Sequence, residues 1–563
     1  MQTGRLLSIF TLVAAICSPY ASAMKNQFQP VEEPFALIRQ WMQNDFIVPQ
    51  KPRSSSTNTS IGVVLRHHGE VMGYGRGKSL EETVRIAFHP LIRRNKMFQG
   101  DLRESFRQEF IDAISIELET NTKQIPSPHR DITRFAKNFN YGGSGIAVRF
   151  GSSFDFRLPS ELRLSPHRGA SNITESLCIN LGVHPTIVLS HKLPVDADIT
   201  LYTLPCETYL QENAQSPIVQ LHHGDELIEF SPLVPSNLTH LADSIASHLL
   251  ESTGSGSVIG GYQPETDTFT DMFATHFVQT LTADALHRYS QVTGVANAPA
   301  ASTASIEIIE SIAHDVQKTH SIDIESASLI VTMLLQSNIK QSTMVQQLFE
   351  LCQKDVLKKT TSILQDQGTD LSAFQLALLC SAAFEIEKRS EEDSFELSVS
   401  LCSFCWKCTT AQGRASLIPW IVNPMIAFEQ MKPGSFAAPL EELSVLAKAS
   451  QVDKDGVDRG GFMLKTNAGL TVDARGLRMI PMLSHICGTS TDAFAVLCKA
   501  IRYTEQLTTQ KARSQRFENP AMALGGVRES TWNAVMPTEA SSMALLGVVD
   551  ALQVVIIIEA SVE

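Results

Sequence analysis

The sequence predicts an α+β N-terminal domain followed by an all-α C-terminal domain. Residues 59–232 alternate short apolar strand patterns with helical ones, whereas long apolar helical segments follow one another after residue 238. The 563 residues, 43% apolar and 19% charged, are typical of a folded chain of about two to four domains. Because the net charge is -13, the surface repels phosphate backbones, and we expect no nucleic-acid partner.

Residues 1–23 are interpreted as a secretory signal peptide. Arg5 supplies the positive charge, an apolar run follows, and Ala21-Ser22-Ala23 places small residues at the cleavage positions. The alternative is an N-terminal membrane anchor, but the apolar run is short for the roughly 20 residues of a span. We therefore expect export to the periplasm or the extracellular space, and no transmembrane segment after the signal peptide. Residues 24–58 are interpreted as a mobile leader.

The α+β domain is expected to cover residues 59–237. Its first two strands flank His67-His68-Gly69, which is typical of a hairpin turn. Ser79 and Glu82 form a capping-box pattern that predicts a helix through Ile92. Further strand candidates are 145–150, 199–203 and 219–221.

The all-α domain is expected to cover residues 238–563. Several of its helical segments are apolar nearly all round, as in the run from Ala373 to Phe384, and a helix without a polar face is buried on all sides. The pattern therefore predicts two layers of helices. The candidate helices are 274–293, 303–318, 323–337, 343–365, 371–387, 394–409, 415–430, 438–450, 477–487, 491–506 and 538–552.

Three glycine doublets, Gly260-Gly261, Gly460-Gly461 and Gly525-Gly526, each precede a polar loop and then a helix. Glycine pairs permit tight turns and close backbone approach. With the succession of helices, this pattern resembles the α/α toroid shared by terpenoid cyclases, protein prenyltransferases and six-hairpin glycan-active enzymes. The resemblance implies a toroid-like domain whose functional cavity is lined at one end by the loops after the doublets.

The N-terminal half resembles the AMMECR family. The resemblance rests on Ile61-Gly62-Val63-Val64-Leu65 and on Gly69-Glu70-Val71-Met72-Gly73. Tyr74 stands where that family has a Cys, and the likeness implies no established reaction.

Six residues are candidate ligand-binding residues. They lie in the loops after the doublets (262–279, 462–474 and 527–538) or at the start of the helix that follows the last of these loops. A Trp face stacks on a sugar ring, Arg and carboxylates hydrogen-bond its hydroxyls, and paired carboxylates can cleave glycosidic bonds. The alternative for the last of them is simple capping of the helix that begins at Thr538. No catalytic residue is assigned. The six candidates are Tyr262, Asp271, Asp473, Arg528, Trp532 and Glu539.

Several other motifs favour structural interpretations. The segment from Gly73 to Ser79 is similar to a phosphate-binding loop, but its first Gly lies one position closer to the Gly-Lys-Ser core than that motif requires. We therefore expect a hairpin-to-helix connection. The pairs His67-His68 and His222-His223 are each followed by Gly, which favours turns over zinc ligands.

The cysteines do not form a disulfide framework, because cleavage leaves an odd number spread along the chain. Cys402, Cys405 and Cys408 are interpreted as buried helix residues, with a disulfide between two of them or a metal site as alternatives. The acidic run after Asp453 lacks the final Glu of a calcium loop, and we expect no metal and no cofactor.

Two functional classes remain open. A non-catalytic exported binding or scaffold protein is favoured, because each catalytic motif considered fails at a specific residue. The alternative is a glycan-active enzyme, a hydrolase, lyase or epimerase, that uses the open end of the toroid. The expected partner is a carbohydrate or another exported protein.

Overall fold

The computed structural model describes most of the chain. The signal peptide predicted at 1–23 and the polar end of the predicted leader lie outside the described residues. The described ranges are 29–50, 59–95, 104–121, 123–164, 169–230, 232–254, 256–337, 342–366, 369–390, 395–411, 413–466, 469–487 and 491–560.

The N-terminal part is an α+β domain, as predicted. In chain order its elements are α1 (Gln29–Gln43), β1 (Ser60–His67), β2 (Glu70–Gly77), α2 (Leu80–Asn95), α3 (Glu104–Ala113), β3 (Ile114–Asn121), β4 (Ile125–Pro126), α4 (Ile132–Lys137), β5 (Ser144–Phe150), β6 (Ser153–Arg157), α5 (Pro159–Arg163), α6 (Ala170–Asn180), α7 (Pro185–Leu189), β7 (Ile199–Pro205), β8 (Glu207–Gln211) and β9 (Ile218–Leu221). The strands form two antiparallel sheets, in the orders β2-β1-β3-β8-β9 and β4-β7-β5-β6.

Helix α1 lies within the segment that the sequence indicated as a mobile leader. Its Phe35, Ile38 and Met42 are buried and join the core that Val84 and Phe88 of α2 form over the first sheet. The burial of one apolar face explains why this stretch is ordered, since helices in proteins gain most of their stability from packing.

The histidine pairs lie in hairpin turns. His68 and Gly69 have φ values of 47° and 83°, and His223 and Gly224 have φ values of 56° and 83°. Two successive residues with positive φ are the signature of the two-residue turn whose twist matches paired strands. Turn geometry therefore accounts for the glycine that follows each histidine pair.

The C-terminal part is helical, with short hairpins between its helices. Its elements are α8 (Pro235–Glu251), β10 (Thr253–Gly254), β11 (Ser257–Val258), β12 (Gly261–Gln263), β13 (Thr268–Asp271), α9 (His276–Ser290), α10 (Ala298–Thr319), α11 (Ile324–Gln336), α12 (Thr343–Asp366), α13 (Ala373–Arg389), α14 (Glu396–Cys408), α15 (Val422–Met431), α16 (Ala437–Ser450), β14 (Met463–Thr466), β15 (Gly469–Val472), α17 (Ile480–Cys487), α18 (Thr491–Leu507), α19 (Lys511–Ser514), α20 (Pro520–Ala523), β16 (Met536–Pro537) and α21 (Thr538–Ala560).

The helices contact one another in a closed order. Helices α9, α11 and α13 follow each other on one layer, α10, α12 and α14 cover them, and α15 to α18 continue the circuit. The last helix, α21, packs against α8, α9 and α17, so the end of the domain returns to its beginning. This arrangement is consistent with a toroid-like domain, and the toroid itself stays a prediction.

Helix α21 is the one described helix that is long and apolar enough to cross a membrane by length and composition. Most of its apolar stretch is buried inside the protein, as in the core helices of soluble proteins.

The structure pairs one of the three clustered cysteines with a more distant partner. Cys380 of α13 and Cys402 of α14 form a disulfide, with their Cα atoms 5.8 Å apart. Cys405 is buried as predicted, whereas Cys408 is exposed, so the predicted burial is wrong for Cys408; neither forms a disulfide. The predicted alternative of a bridge between two of the three is therefore wrong. Cys402 instead pairs with Cys380, which lies on the neighbouring helix.

Candidate functional site

The three doublet loops meet at one end of the helical domain. β12, which begins at Gly261, pairs with β16 so that Tyr262 lies opposite Met536. The backbone N–H of Ala474 donates to the carbonyl of Glu529 at 2.8 Å. The last loop therefore contacts both of the others, and residues 200 or more positions apart in sequence share one surface.

Two of the doublets hold this arrangement by close backbone approach. Gly525 has φ 78°, and a Cβ there would overlap the carbonyl oxygen of Ser244 in α8. Gly460 has φ 91°, and a Cβ there would overlap the carbonyl oxygen of Lys499 in α18. Only glycine combines this conformation with this spacing.

The α+β domain covers this end of the helical domain through a buried group of charges. The Nη2 atom of Arg528 donates to Asp225 Oδ2 at 2.7 Å, across 303 positions of sequence. Arg513 also pairs with Asp225, and Arg516 lies 3.9 Å from its other oxygen. Arg516 further binds Glu226 at 2.6 Å.

Two pKa values in this group of charges are lowered, for different reasons. Burial alone would raise the pKa of Asp225, but Arg513, Arg528 and Arg516 together hold it below its ordinary value. Burial, with Arg513 nearby, lowers the pKa of Arg528 to about 9. Asp225 is therefore an ionised anchor between the domains.

An aromatic pair and a hydrogen-bonded chain extend the domain contact. Trp532 stacks on Tyr141 of the α+β domain, with ring centroids 4.4 Å apart and planes at 21°. Thr531 Oγ1 lies 3.1 Å from His223 Nδ1 and donates to Asp458 Oδ1 at 2.7 Å. One short loop thus contacts a turn of the α+β domain and the segment before the second doublet.

Arg528 and Trp532, two of the six predicted ligand-binding residues, lie in this contact. Arg528 is wholly buried, and its guanidinium also donates to the carbonyls of Leu507 and Thr531. Trp532 is half-buried. Their observed contacts are with the α+β domain and with the helical domain's own backbone.

Tyr262 and Asp271 lie on the first doublet loop. Tyr262 is 1% exposed, and its hydroxyl donates to Asp267 Oδ1 at 2.7 Å. Burial, together with that carboxylate, raises the pKa of Tyr262. Asp271 is exposed on β13, and its carbonyl accepts from the N–H of Gly260 at 3.0 Å. Tyr262 therefore stabilises the loop through its internal hydrogen bond to Asp267, whereas Asp271 faces solvent.

The remaining two predicted residues, Asp473 and Glu539, belong to a polar cluster that we call the rim. The rim comprises Asp473, Arg475, Arg478, Glu529 and Glu539. Arg475 binds Asp473 in a fork, with Nε 3.0 Å from Oδ1 and Nη2 2.5 Å from Oδ2. Asp473 is buried, whereas Glu529 and Glu539 are exposed.

The rim carboxylates occupy unlike environments. Partial desolvation of its carboxyl group, followed by the nearby charge of Asp473, raises the pKa of Glu529, although the residue is exposed. Asp473 accepts hydrogen bonds from the guanidinium of Arg475. This contact raises the pKa of Arg475. Burial lowers the pKa of Arg478, and Glu539 opposes the shift. The rim thus contains a carboxylate bound by a guanidinium and, beside it, a carboxyl group whose pKa is raised.

Sequence reasoning missed the residues that join the domains. Asp225 belongs to the His222-His223-Gly224-Asp225 turn, which was noticed only as a turn. Arg513 and Arg516 stand in a segment without any spacing motif. Within the described residues, no group of three or more His, Cys, Asp or Glu side chains is placed to hold a metal ion.

Comparisons with known proteins return only distant likenesses. No family model matches the chain, and no curated protein matches it. A family 76 glycoside hydrolase from a bovine Bacteroides thetaiotaomicron strain matches 78% of this chain and 96% of its own, with 7% identity and a TM-score of 0.38.

A second solved structure, an uncharacterized protein from Pyrococcus horikoshii, matches 34% of this chain and 94% of its own, with 16% identity and a TM-score of 0.24. At these TM-scores neither likeness carries an argument about fold or activity. The AMMECR and terpenoid cyclase resemblances are not supported by these comparisons. The chain is similar, weakly, to a glycoside hydrolase of family 76 over most of its length.

Proposed function

We propose that this is an exported, non-catalytic binding protein in which the α+β domain closes the loop end of the helical domain and the rim contacts the ligand. The observation that carries the proposal is the pairing of Arg528 with Asp225, supported by the stack of Trp532 on Tyr141. Loops that would otherwise line a substrate cavity bind a domain of the same chain instead.

The contacts of Arg528 support this interpretation. Its donors are engaged by Asp225, by Leu507 and by Thr531, and its side chain is wholly buried. A ligand would have to separate the domains to reach it. Separation would break the ion pairs of Asp225 with Arg513 and Arg528.

The rim includes exposed carboxylates that a ligand can reach without separating the domains. Glu529 and Glu539 are exposed, and the Asn533 side chain donates to Glu529 Oε2 at 2.5 Å. Carboxylates, guanidinium groups and an amide within one patch supply both acceptors and donors, as the hydroxyl groups of a glycan require. A carbohydrate is therefore the ligand class we propose.

A second candidate is a glycan-active enzyme, and one observation favours it. Glu529, whose pKa is raised, neighbours Asp473, which Arg475 binds in a fork. Glycoside hydrolysis uses a pair of nearby carboxyl groups in different environments.

A glycan-library screen for binding and hydrolysis tests both candidates. The variants are Glu529→Gln and Glu539→Gln, and the control is Glu307→Gln at an exposed position of α10. We expect binding without hydrolysis, weakened about tenfold by a rim variant and unchanged by the control. Hydrolysis that disappears in Glu529→Gln would establish the enzyme instead. If no glycan binds or is cleaved, both candidates are wrong.

A further inference from the structure

A small polar pocket lies in the α+β domain, away from the doublet loops. It has a volume of about 170 Å³ and is lined by side chains from both sheets, among them Ser60, Lys78, Gln124, Arg149, Ser152 and Phe154. Neither the proposed glycan contact nor the domain contact uses these residues.

Strand register brings the lining residues together. Ile61 of β1 pairs with Gly77 of β2, so their neighbours Ser60 and Lys78 lie at the same end of the first sheet. In the second sheet, Arg149 of β5 lies opposite Phe154 of β6. The pocket therefore lies where one end of the first sheet meets a hairpin of the second.

Two cations share one aromatic ring at this pocket. Lys78 Nζ lies 5.8 Å from the ring centroid of Phe154, and Arg149 Cζ lies 5.8 Å from the same centroid. Arg149 also lies 5.3 Å from the ring centroid of Tyr202. Cation–π contact holds both charges at the pocket.

Neither cation is neutralised by a carboxylate within the described part of the chain. Arg149 has one side-chain partner there, the neutral Gln124, which accepts from Nη2 at 3.4 Å. The protein as a whole has a net charge of -13, so two cations at one pocket without a paired carboxylate form a local region of positive charge on an acidic protein. An anion in the pocket that both residues line would be attracted by both charges.

The neighbouring backbone amides are already engaged. The N–H of Lys78 donates to Glu82 Oε2 at 3.0 Å, and the N–H of Gly151 donates to the carbonyl of Asp198 at 3.0 Å. Recognition at this pocket therefore depends on side chains, unlike a phosphate-binding loop, which uses successive amides. The failed phosphate-loop spacing before Lys78 therefore does not bear on recognition by its side chain.

We propose that this pocket binds a phosphate or sulfate group. Lys78 and Arg149 neutralise the oxyanion, Arg149 with the planar fork that suits it, and the hydroxyls of Ser60 and Ser152 donate to its oxygens. The group is either a free ion or an ester on a sugar.

Isothermal titration calorimetry on the full chain tests the proposal with three probes: inorganic phosphate, inorganic sulfate and glucose 6-phosphate. We expect saturable binding of at least one probe, weakened by added NaCl because the contact is electrostatic. Binding of the inorganic ions alone identifies a free-ion site, and tighter binding of glucose 6-phosphate identifies an ester site.

Variants locate the binding. Lys78→Gln and Arg149→Gln should each weaken it about tenfold, since each removes one charge-assisted contact. Arg93→Gln and Lys137→Gln, exposed cations of the same domain, are the controls and should leave it unchanged. Circular dichroism melting curves show that each variant is folded. Absence of saturable binding of all three probes, or equal binding by native protein and a folded Arg149→Gln variant, would overturn the proposal.

Discussion

Asp225 pairs with three arginines that are distant in sequence, and no sequence motif indicated this contact. Its two carboxylate oxygens face Arg513, Arg516 and Arg528, all from the end of the helical domain. A buried carboxylate with several cationic partners is costly to remove, because its partners stay buried without it.

Replacement of Asp225 by Asn should destabilise the protein strongly. The amide keeps the size but removes the charge, so three arginines are left near each other without their counter-ion. We expect a loss of about 3–5 kcal/mol in the free energy of unfolding, measured by urea denaturation.

The matched control is Glu226→Gln at the next position. The side chain of Glu226 is half exposed and, among the described residues, its carboxylate pairs with Arg516 alone, so its loss should cost less than about 1 kcal/mol. Equal effects of the two substitutions would contradict the anchoring role of Asp225.

Glu505 of α18 predicts a pH dependence of stability. Burial raises its pKa to about 7, and Arg502 opposes the shift. Because the folded-state pKa lies above the unfolded value of about 4.3, this group's stabilising contribution is complete below pH 4.3 and is lost as the pH rises through 7.

A Glu505→Gln variant should therefore match the native protein at pH 4 and exceed its stability at pH 8. We expect a gain of roughly 1–3 kcal/mol at pH 8, since the group is partly solvated. Chemical denaturation at both pH values measures it, with Glu307→Gln as the control that changes neither. A variant that is less stable than the native protein at pH 8 would refute the burial argument.

At the scale of elements, the glycine doublets fix where the loops lie. Gly525→Ala introduces both a strained positive φ and an overlap with the Ser244 carbonyl. Gly434 has a similar φ of 88°, but a Cβ there meets open space. Gly434→Ala therefore isolates the cost of backbone strain, about 1–2 kcal/mol.

We expect Gly525→Ala to cost at least about 1 kcal/mol more than Gly434→Ala, measured as the difference in urea unfolding free energy. The extra cost reports the overlap with α8. Equal costs would mean that Gly525 is not pressed against that helix.

Long elements were predictable because their apolar patterns are long. The segment 343–365 closely matches α12, and the capping pair Ser79 and Glu82 marks the start of α2, where Ser79 Oγ accepts from the Glu82 N–H. The strands β10 to β16 were missed because two to four residues carry no readable period. The Cys380–Cys402 pairing was missed because it depends on how two helices face each other.

At the scale of the whole molecule, the predicted site is divided by domain packing. Asp473 and Glu539 belong to the rim, whereas Arg528 and Trp532 lie against the α+β domain. The sequence was sufficient to predict that these residues lie on loops at the ends of helices, because glycine doublets and helix starts are local features. It could not show that a second domain covers part of them, since Asp225 and Arg528 are 303 positions apart.

The contact between the domains is tested most directly by a double-mutant cycle on Tyr141 and Trp532. Each residue is changed to Leu singly and together, and unfolding free energies are compared. The account predicts a coupling energy of about 0.5–1.5 kcal/mol for the stacked pair.

The control cycle joins Tyr141 to Trp420, which packs against Phe374 inside the helical domain and should show no coupling. A Tyr141–Trp532 coupling no larger than that of the control would contradict the closure of the helical domain by the α+β domain.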